Sequence, residues 1–379
     1  MHICLVYDCL FPWTVGGAER WYRALGERLA VEGHAVTYLT LRQWDENAPP
    51  AIPGVEVIAV GPRMALMAGE RRRILPPLRF GAGVLIHLLR HGRRYDHVHC
   101  ASFPFFSLLA IGLARPFAGF GVGVDWHEVW TWRYWREYLG PAGAIGWLVQ
   151  WLCARVPQRA YVFSRLHGGR LAALGCGSTF LSGEYAGCQH ASLPAAQPLR
   201  FVYAGRFIPE KRVVLLVEAF AIAYRRCPEL RLELYGDGPQ RARIAALAAP
   251  LGHAVAMPGF VDQATLDQAM GEACAIVQPS AREGYGMVVV EAAARGVPAI
   301  LVESPDNAAV ELITPEENGL VASASAEALA EALLAIASDA TKWRRRTAQW
   351  YRINANRLSL THSLAIVDSD ISLSAPQPR

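Results

Sequence analysis

Lysine is nearly missing from this chain. Of 37 basic residues only Lys211 and Lys342 are lysines, so arginine carries the positive charge and a lysine at a helix start is singled out. The net charge of +4 is too small to point to a nucleic-acid partner. The eight cysteines (Cys4, Cys9, Cys100, Cys153, Cys176, Cys188, Cys227 and Cys274) contain no CxxC pair. That argues against a disulfide scaffold or a zinc site and for buried thiols in a reducing compartment. A signal peptide is not expected either, because Met1 to Tyr7 reads as a short strand that ends at Asp8. The one apolar run long enough to cross a bilayer, Ala101 to Val124, is broken by Pro104, Arg115 and Pro116, so a helix followed by a buried strand is expected there.

What the chain does have is apolar residues, 53% of 379, which describes a well-buried globular protein too long for one ordinary core. The first half repeats short continuous apolar runs: Ile3 to Tyr7, Val36 to Leu41, Val55 to Val60, Val98 to Cys100, Gly121 to Trp126 and Ala160 to Ser164. Such runs suit parallel strands covered on both faces, with helices such as Gly17 to Glu32 and Ala142 to Val156 between them. A turn-rich stretch, Ser182 to Pro198, precedes a second series that starts at Phe201. The fold class is α/β with right-handed crossovers. The expected domains are 1–190, 198–340 and a crossover helix with tail at 341–379.

The most telling stretch runs from Glu283 through Gly284-Tyr285-Gly286-Met287-Val288 to Glu291, two acids with seven residues between them. It predicts a glycine-rich turn opening a helix that Gly296 stops, and such a helix start suits a phosphate. Gly16-Gly17 after the first strand predicts a second close-approach turn. Gly205-Arg206 ends the first strand of the second series, and Lys211 opens its next helix, which sets two cations near one strand end. His127 and Glu128 fall at the end of another strand, within the aromatic run Trp126, Trp130, Trp132, Tyr134, Trp135 and Tyr138. Those rings read equally as a stacking platform for sugars or as packing. The arginine-flanked apolar segment 71–94 reads equally as a peripheral membrane contact or as a core helix with solvated ends. Asp368-Ser369-Asp370 lies in a terminal tail, without the strand-end setting a metal site needs.

Taken together, Gly16-Gly17-Ala18-Glu19, Pro279 to Gly286, Gly296 to Ile300 and Asn318 to Val321 resemble the retaining nucleotide-sugar glycosyltransferases of family 4, which have the GT-B architecture. The resemblance implies two Rossmann-like domains facing across a cleft, with C-terminal helices returning toward the first. It implies a cytoplasmic hexosyl- or glycosyltransferase, with the inner face of the cell membrane as a second expected location. The enzyme would move a sugar from a nucleoside diphosphate sugar to a glycan, lipid-linked or small-molecule hydroxyl and form an α-glycosidic bond without a metal or other cofactor. Residue by residue, Glu283 and His127 would be catalytic and Glu291 would bind the ribose. Arg206 and Lys211 would hold the diphosphate, with the amides of Gly16, Gly17, Gly284, Tyr285, Gly286, Met287 and Val288. Glu128, Trp130 and Trp132 would face the acceptor. Two places depart from the family: Glu128 stands where a small hydroxyl residue is commoner, and Ser182-Gly183-Glu184-Tyr185 where a Pro-Asn-Gly turn often stands.

Rival readings are a sugar-nucleotide epimerase or a synthase on the same fold, and a non-catalytic scaffold that kept the fold. A dinucleotide oxidoreductase fares worse, because Gly236-Asp237-Gly238 lacks the third glycine and Gly119 to Gly123 precedes a strand rather than following one.

Overall fold

The computed structural model describes residues 1–14, 16–45, 49–68, 71–187 and 199–373. The chain divides into two units, Met1–Glu184 joined by the segment from Leu360 onward, and Tyr185–Ser359.

The first unit runs β1 (His2–Val6), α1 (Gly17–Val31), β2 (Ala35–Leu41), β3 (Val55–Gly61), a short antiparallel pair β4 (Met67–Ala68) and β5 (Arg71–Arg72), α2 (Leu75–His91), β6 (His97–Ala101), α3 (Phe105–Ala118), β7 (Gly121–Trp126), α4 (Trp132–Leu139), α5 (Gly143–Arg155), β8 (Arg159–Val162), α6 (Arg165–Ala173) and β9 (Ser178–Phe180). Its sheet is parallel in the order β3-β2-β1-β6-β7-β8-β9. The apolar runs become strands because both faces are covered: Ile3, Cys4, Leu5 and Val6 are all fully buried. The run from Ala101 to Val124 becomes α3 followed by β7, as its prolines and glycines predict. Among the described residues no helix is long and apolar enough to cross a membrane.

One charged group lies deep in this unit. Asp125 on β7 is fully buried, and its Oδ2 accepts the Trp21 indole N–H at 2.8 Å and meets His99 Nε2 at 2.9 Å. Burial pushes the carboxyl pKa up, but His99, with smaller help from His127, outweighs it and leaves the net shift downward.

The second unit runs β10 (Arg200–Ala204), α7 (Val213–Arg226), β11 (Arg231–Tyr235), α8 (Arg241–Ala248), β12 (Val255–Gly259), α9 (Gln263–Glu272), β13 (Ala275–Gln278), β14 (Arg282–Glu283), α10 (Met287–Ala294), β15 (Ala299–Val302), β16 (Asp306–Asn307), β17 (Gly319–Ala322), α11 (Ala326–Ala337) and α12 (Ala340–Leu358). Its parallel sheet has the order β12-β11-β10-β13-β15-β17, which reverses direction between β10 and β13. The loops after β10 and β13 therefore flank a topological switch point, where such sheets bind ligands. Phe201, Tyr203, Phe207, Leu216, Phe220 and Leu234 fill the core beneath it. Each such side chain contributes about 1.5–3 kcal/mol by leaving water.

The expected boundaries shift. The chain enters the second unit at Tyr185, six residues before the boundary predicted after residue 190, because Tyr185 N–H donates to Leu358 O at 3.2 Å. Helix α12, expected to be part of a crossover, packs on α10 in the second unit. Only α13 (Leu360–Leu373) rejoins the first, where Ser363 Oγ accepts the Gly183 N–H at 3.1 Å. Asp368 and Asp370 sit inside this helix rather than in a loose tail. Asp370 pairs with Arg159 at 2.7 Å and Asp368 lies 3.6 Å from His34, so both have structural work. The seven cysteines in the described residues are free thiols, and Cys188 lies outside them, as do most of the turn-rich stretch before Leu199 and residues 374–379.

Candidate functional site

In the second unit the carboxyl ends of β10 and β13 bring together residues that lie far apart in sequence. The loop after β13 pairs briefly with a later segment, Glu283 opposite Asn307, and this two-strand contact fixes where the acid stands. Asn307, almost fully buried, ties the loop from behind by donating to Ser280 O at 3.1 Å and to Val302 O at 2.9 Å. Ser280, also buried, donates its hydroxyl to Glu283 Oε1 at 2.8 Å. Lys211 reaches the same oxygen from a short 3₁₀ turn, Pro209–Lys211, which is held to the loop by Ala281 N–H donating to Glu210 O at 2.7 Å. The carboxylate and the ammonium are each about one-fifth exposed, 20% and 19%, so a ligand can reach both.

Arg206 lies two residues past the end of β10 with an exposed side chain, while its carbonyl accepts the Tyr203 hydroxyl at 2.9 Å. Burial pushes the Tyr203 pKa up, Glu283 adds to the rise and Arg206 opposes it, so both charges act on one buried ring. Lys211 and Glu283 are thus paired, and Arg206 acts on the same buried tyrosine as Glu283. The backbone here is tightly stacked: Gly236 has φ +122°, and a Cβ there would lie 2.0 Å from Gly205 O. The Gly-Asp-Gly triplet accordingly shapes the loop after β10 by close packing.

Gly284 to Gly286 then turn into α10. Gly286 has φ +105°, and a Cβ on it would approach Ala309 Cβ to 2.6 Å, so glycine is required by both conformation and space. The first N–H groups of α10 have no carbonyl one turn back, which makes them donors for an anion. Glu291 follows one turn along, its carbonyl accepting Arg295 Nη1 at 2.6 Å, while Arg295 Nη2 pairs with Asp267 at 2.7 Å. Gly296, φ +69°, ends the helix as predicted, with Val297 N–H donating to Ala292 O at 2.9 Å.

The first unit holds a separate cluster. His127 follows β7 with its ring stacked on Phe163 at 4.4 Å, and its Nδ1 lies 3.3 Å from Glu184 Oε1. Burial works to lower the His127 pKa, but Glu184, with Asp125 and Glu128 behind it, outweighs burial and raises it. Gly17 opens α1 beside the same carboxylate, its Cβ position 4.0 Å from Glu184 Oε2. The Gly16 Cβ position lies 2.4 Å from Glu19 Oε2, so two acids border the turn that the sequence assigns to a phosphate.

Glu128, expected to face the acceptor, has its Oε2 engaged by the Trp130 indole N–H at 2.7 Å. Trp130 itself is clamped by Gln150, which accepts its N–H at 3.0 Å and donates to its carbonyl at 2.9 Å, and it packs against Trp135 at 4.6 Å. The aromatic run is therefore mostly packing. Trp132, 47% exposed, is the exception and borders a surface groove of about 550 Å³ with Arg133, Arg136 and Glu137.

Sequence reasoning passed over Ser280, Asn307 and Glu184 as site residues. Ser280 stood inside the quoted motif, but its role depends on a hydroxyl direction that spacing does not give. Glu184 was visible only as a departure from a common turn.

Residues 15–177 match the family model described as Glycosyltransferase Family 4, and residues 189–352 match the model described as Glycosyl transferases group 1. A GDP-mannose-dependent alpha-(1-6)-phosphatidylinositol dimannoside mannosyltransferase of Mycobacterium tuberculosis is 29% identical over 186 residues, covering 47% of each chain. The chain thus spans about half the length of that curated relative. Among solved structures, sucrose-phosphate synthase of Thermosynechococcus elongatus superposes with a TM-score of 0.76 at 21% identity, covering 98% of both chains. Anabaena HepE, solved in complex with UDP-glucose, gives 0.73 at 16% identity, covering 98% of this chain and 100% of its own. These two likenesses establish the GT-B fold.

Proposed function

From a chain that belongs to glycosyltransferase family 4, its two halves matched by glycosyltransferase models, we propose a retaining transferase that moves a sugar from a nucleoside diphosphate sugar to an acceptor hydroxyl. The observation that carries the reading is Glu283, held by Lys211 and Ser280 at the switch point of the second sheet and followed at once by the N-terminus of α10.

Arg206 and Lys211 bind the diphosphate. An ammonium has three N–H donors, so Lys211 keeps its bond to Glu283 and still reaches a phosphate oxygen. The amides from Gly284 to Val288 add neutral donors, and Glu291 accepts from the ribose hydroxyls. When the bond from the anomeric carbon to the diphosphate oxygen breaks, its electron pair stays on that oxygen, where the cations and the helix dipole meet the new charge. Glu283 favours the positive charge left at the anomeric carbon. The acceptor oxygen forms the new α-bond, and its proton passes to the departing diphosphate. Because Arg206 and Lys211 supply the countercharge, no metal is needed in this scheme.

In the first unit, His127 serves as a hydrogen-bond donor to a sugar hydroxyl, a role that the proton favoured by Glu184 supports. The acceptor is a glycan, lipid-linked or small-molecule hydroxyl compound, with Trp132 as its stacking surface. A peripheral membrane contact through segment 71–94 would bring the enzyme to a lipid-linked acceptor.

The test is a nucleotide-sugar panel in a thermal-shift assay, because a ligand of the native state raises its melting point with concentration. A donor identified this way is then turned over with chelator present, and the product's anomeric configuration is read by NMR. No shift with any nucleoside diphosphate or its sugar would overturn the donor site. Inversion would overturn the mechanism, and loss of turnover in chelator its metal independence.

A further inference from the structure

Three neighbouring helices of the first unit are apolar on the side that faces away from the sheet. On α2 the buried stripe is Phe80, Val84 and Leu88, yet Leu75, Leu78, Ile86 and Leu89 are exposed on the other side at spacings of three, eight and three residues. On α5, Ile145, Leu148 and Leu152 repeat the pattern, and Leu113 and Phe117 continue it on α3. The helices lie side by side: α2 packs on α3, the turn after α2 is tied to α3 where Arg93 Nε donates to Phe117 O at 3.2 Å, and α3 and α5 are joined where Cys153 Sγ donates to Phe105 O at 3.3 Å. An exposed apolar surface of this extent marks an interaction site.

Its charge selects the occupant. None of the three helices contains an Asp or Glu. Arg79 and Arg90 are exposed on α2, Arg93 and Arg94 follow it, and α5 ends in exposed Arg155. A second copy docked on this face would set arginine against arginine with no acid on these helices to pair it. A surface of anionic lipid headgroups offers the opposite charge beside a hydrocarbon phase for the leucines and isoleucines. No helix among the described residues can span, so the contact is a lying one.

We propose that the outer faces of α2, α3 and α5 together form a docking surface for anionic lipid bilayers. The inference rests on the membrane contact proposed above and moves it from one segment to a three-helix face. It includes α5, which lies well outside that segment.

The full chain is sedimented with phosphatidylcholine vesicles, with and without phosphatidylglycerol, as wild type and as Ile86→Glu and Leu148→Glu. Both positions are exposed, so folding is retained, and a nucleotide-induced thermal shift reports an intact second unit independently of lipid. The expected result is binding that needs phosphatidylglycerol, weakens with salt, and drops about tenfold or more in each variant, in line with the penalty for carrying a charge into the interface. No binding to phosphatidylglycerol vesicles would overturn the proposal, and equal binding to neutral vesicles would overturn its charge argument. Loss in Ile86→Glu alone would return the contact to segment 71–94. A wild-type dimer that both substitutions dissolve, without vesicle binding, would make the face a self-association surface instead.

Discussion

Removing the Lys211 side chain tests the centre of the proposed site, because that ammonium has two partners of different kinds. The first is Glu283, with both side chains about one-fifth exposed. Two unit charges about 4 Å apart attract by roughly 1 kcal/mol in water and about 4 kcal/mol at the effective dielectric near a protein surface. Screening and side-chain ordering reduce fully exposed pairs to about 0–1 kcal/mol. A pair mostly withdrawn from water but still reachable should therefore couple by about 1–2 kcal/mol. Lys211→Ala, Glu283→Gln and the double variant, followed by urea denaturation, yield that coupling directly. The second partner is the diphosphate. A hydrogen bond to a charged group is worth about 1.5–3 kcal/mol, so Lys211→Ala should weaken nucleoside diphosphate binding by roughly 10- to 100-fold in calorimetry. Glu283→Gln should leave that affinity within a few-fold and lower turnover instead. Coupling near zero would refute the ion pair, and unchanged nucleotide affinity in Lys211→Ala would refute its place in the grip.

Other expectations follow from single contacts. Gly286→Ala must adopt φ +105° and meet Ala309, so it should lose at least about 1–3 kcal/mol in thermal melts together with donor affinity; an unchanged melting point would show that the turn is not as described. Asp125→Ala leaves His99 buried without its partner and should cost about 3–5 kcal/mol. Since the Asp125 pKa is lowered on folding, its contribution holds above the ordinary carboxylate value of 3.8 and fades as pH falls through the depressed value; an Asp125→Ala penalty that does not shrink in acid would contradict this. The His127 pKa is raised, so its protonated form survives to higher pH than an ordinary histidine's. Glu184→Gln should move the alkaline limb of kcat/KM to lower pH, and an unmoved limb would separate Glu184 from the function of His127.

Much of the α/β alternation was written in the apolar runs. Strand β7 falls at its predicted limits, Gly121 to Trp126, because a strand buried on both faces leaves little choice of register. Helix α4 escaped notice since its aromatic residues suggested a platform, and its Thr131 cap, which accepts Tyr134 N–H at 3.2 Å, was overlooked. The acid pair, Arg206 and Lys211 were legible as site candidates because strand ends and helix starts can be read from pattern. Their mutual contacts were not, since which carboxylate oxygen meets which donor depends on loops whose paths are set by buried Asn307 and Ser280. Glu128 and Glu184 show the same limit from the other side. Both precede or follow recognisable segments, and only the folded chain decides that one engages an indole and the other an imidazole.

The return of α13 to the first unit has a bearing on how the protein comes off the ribosome. Gly183 finds its partner Ser363, and Arg159 finds Asp370, only after the whole of the second unit has been made. At about 5–20 residues per second that interval is on the order of ten to thirty seconds. During it the first sheet waits with Tyr161 and Arg159 without their partner Asp370 on the final helix, while the second unit already has both ends of its bridge, the entering Tyr185 and the departing Ser359. A stall or truncation after Ser359 would strand the earlier half one helix short.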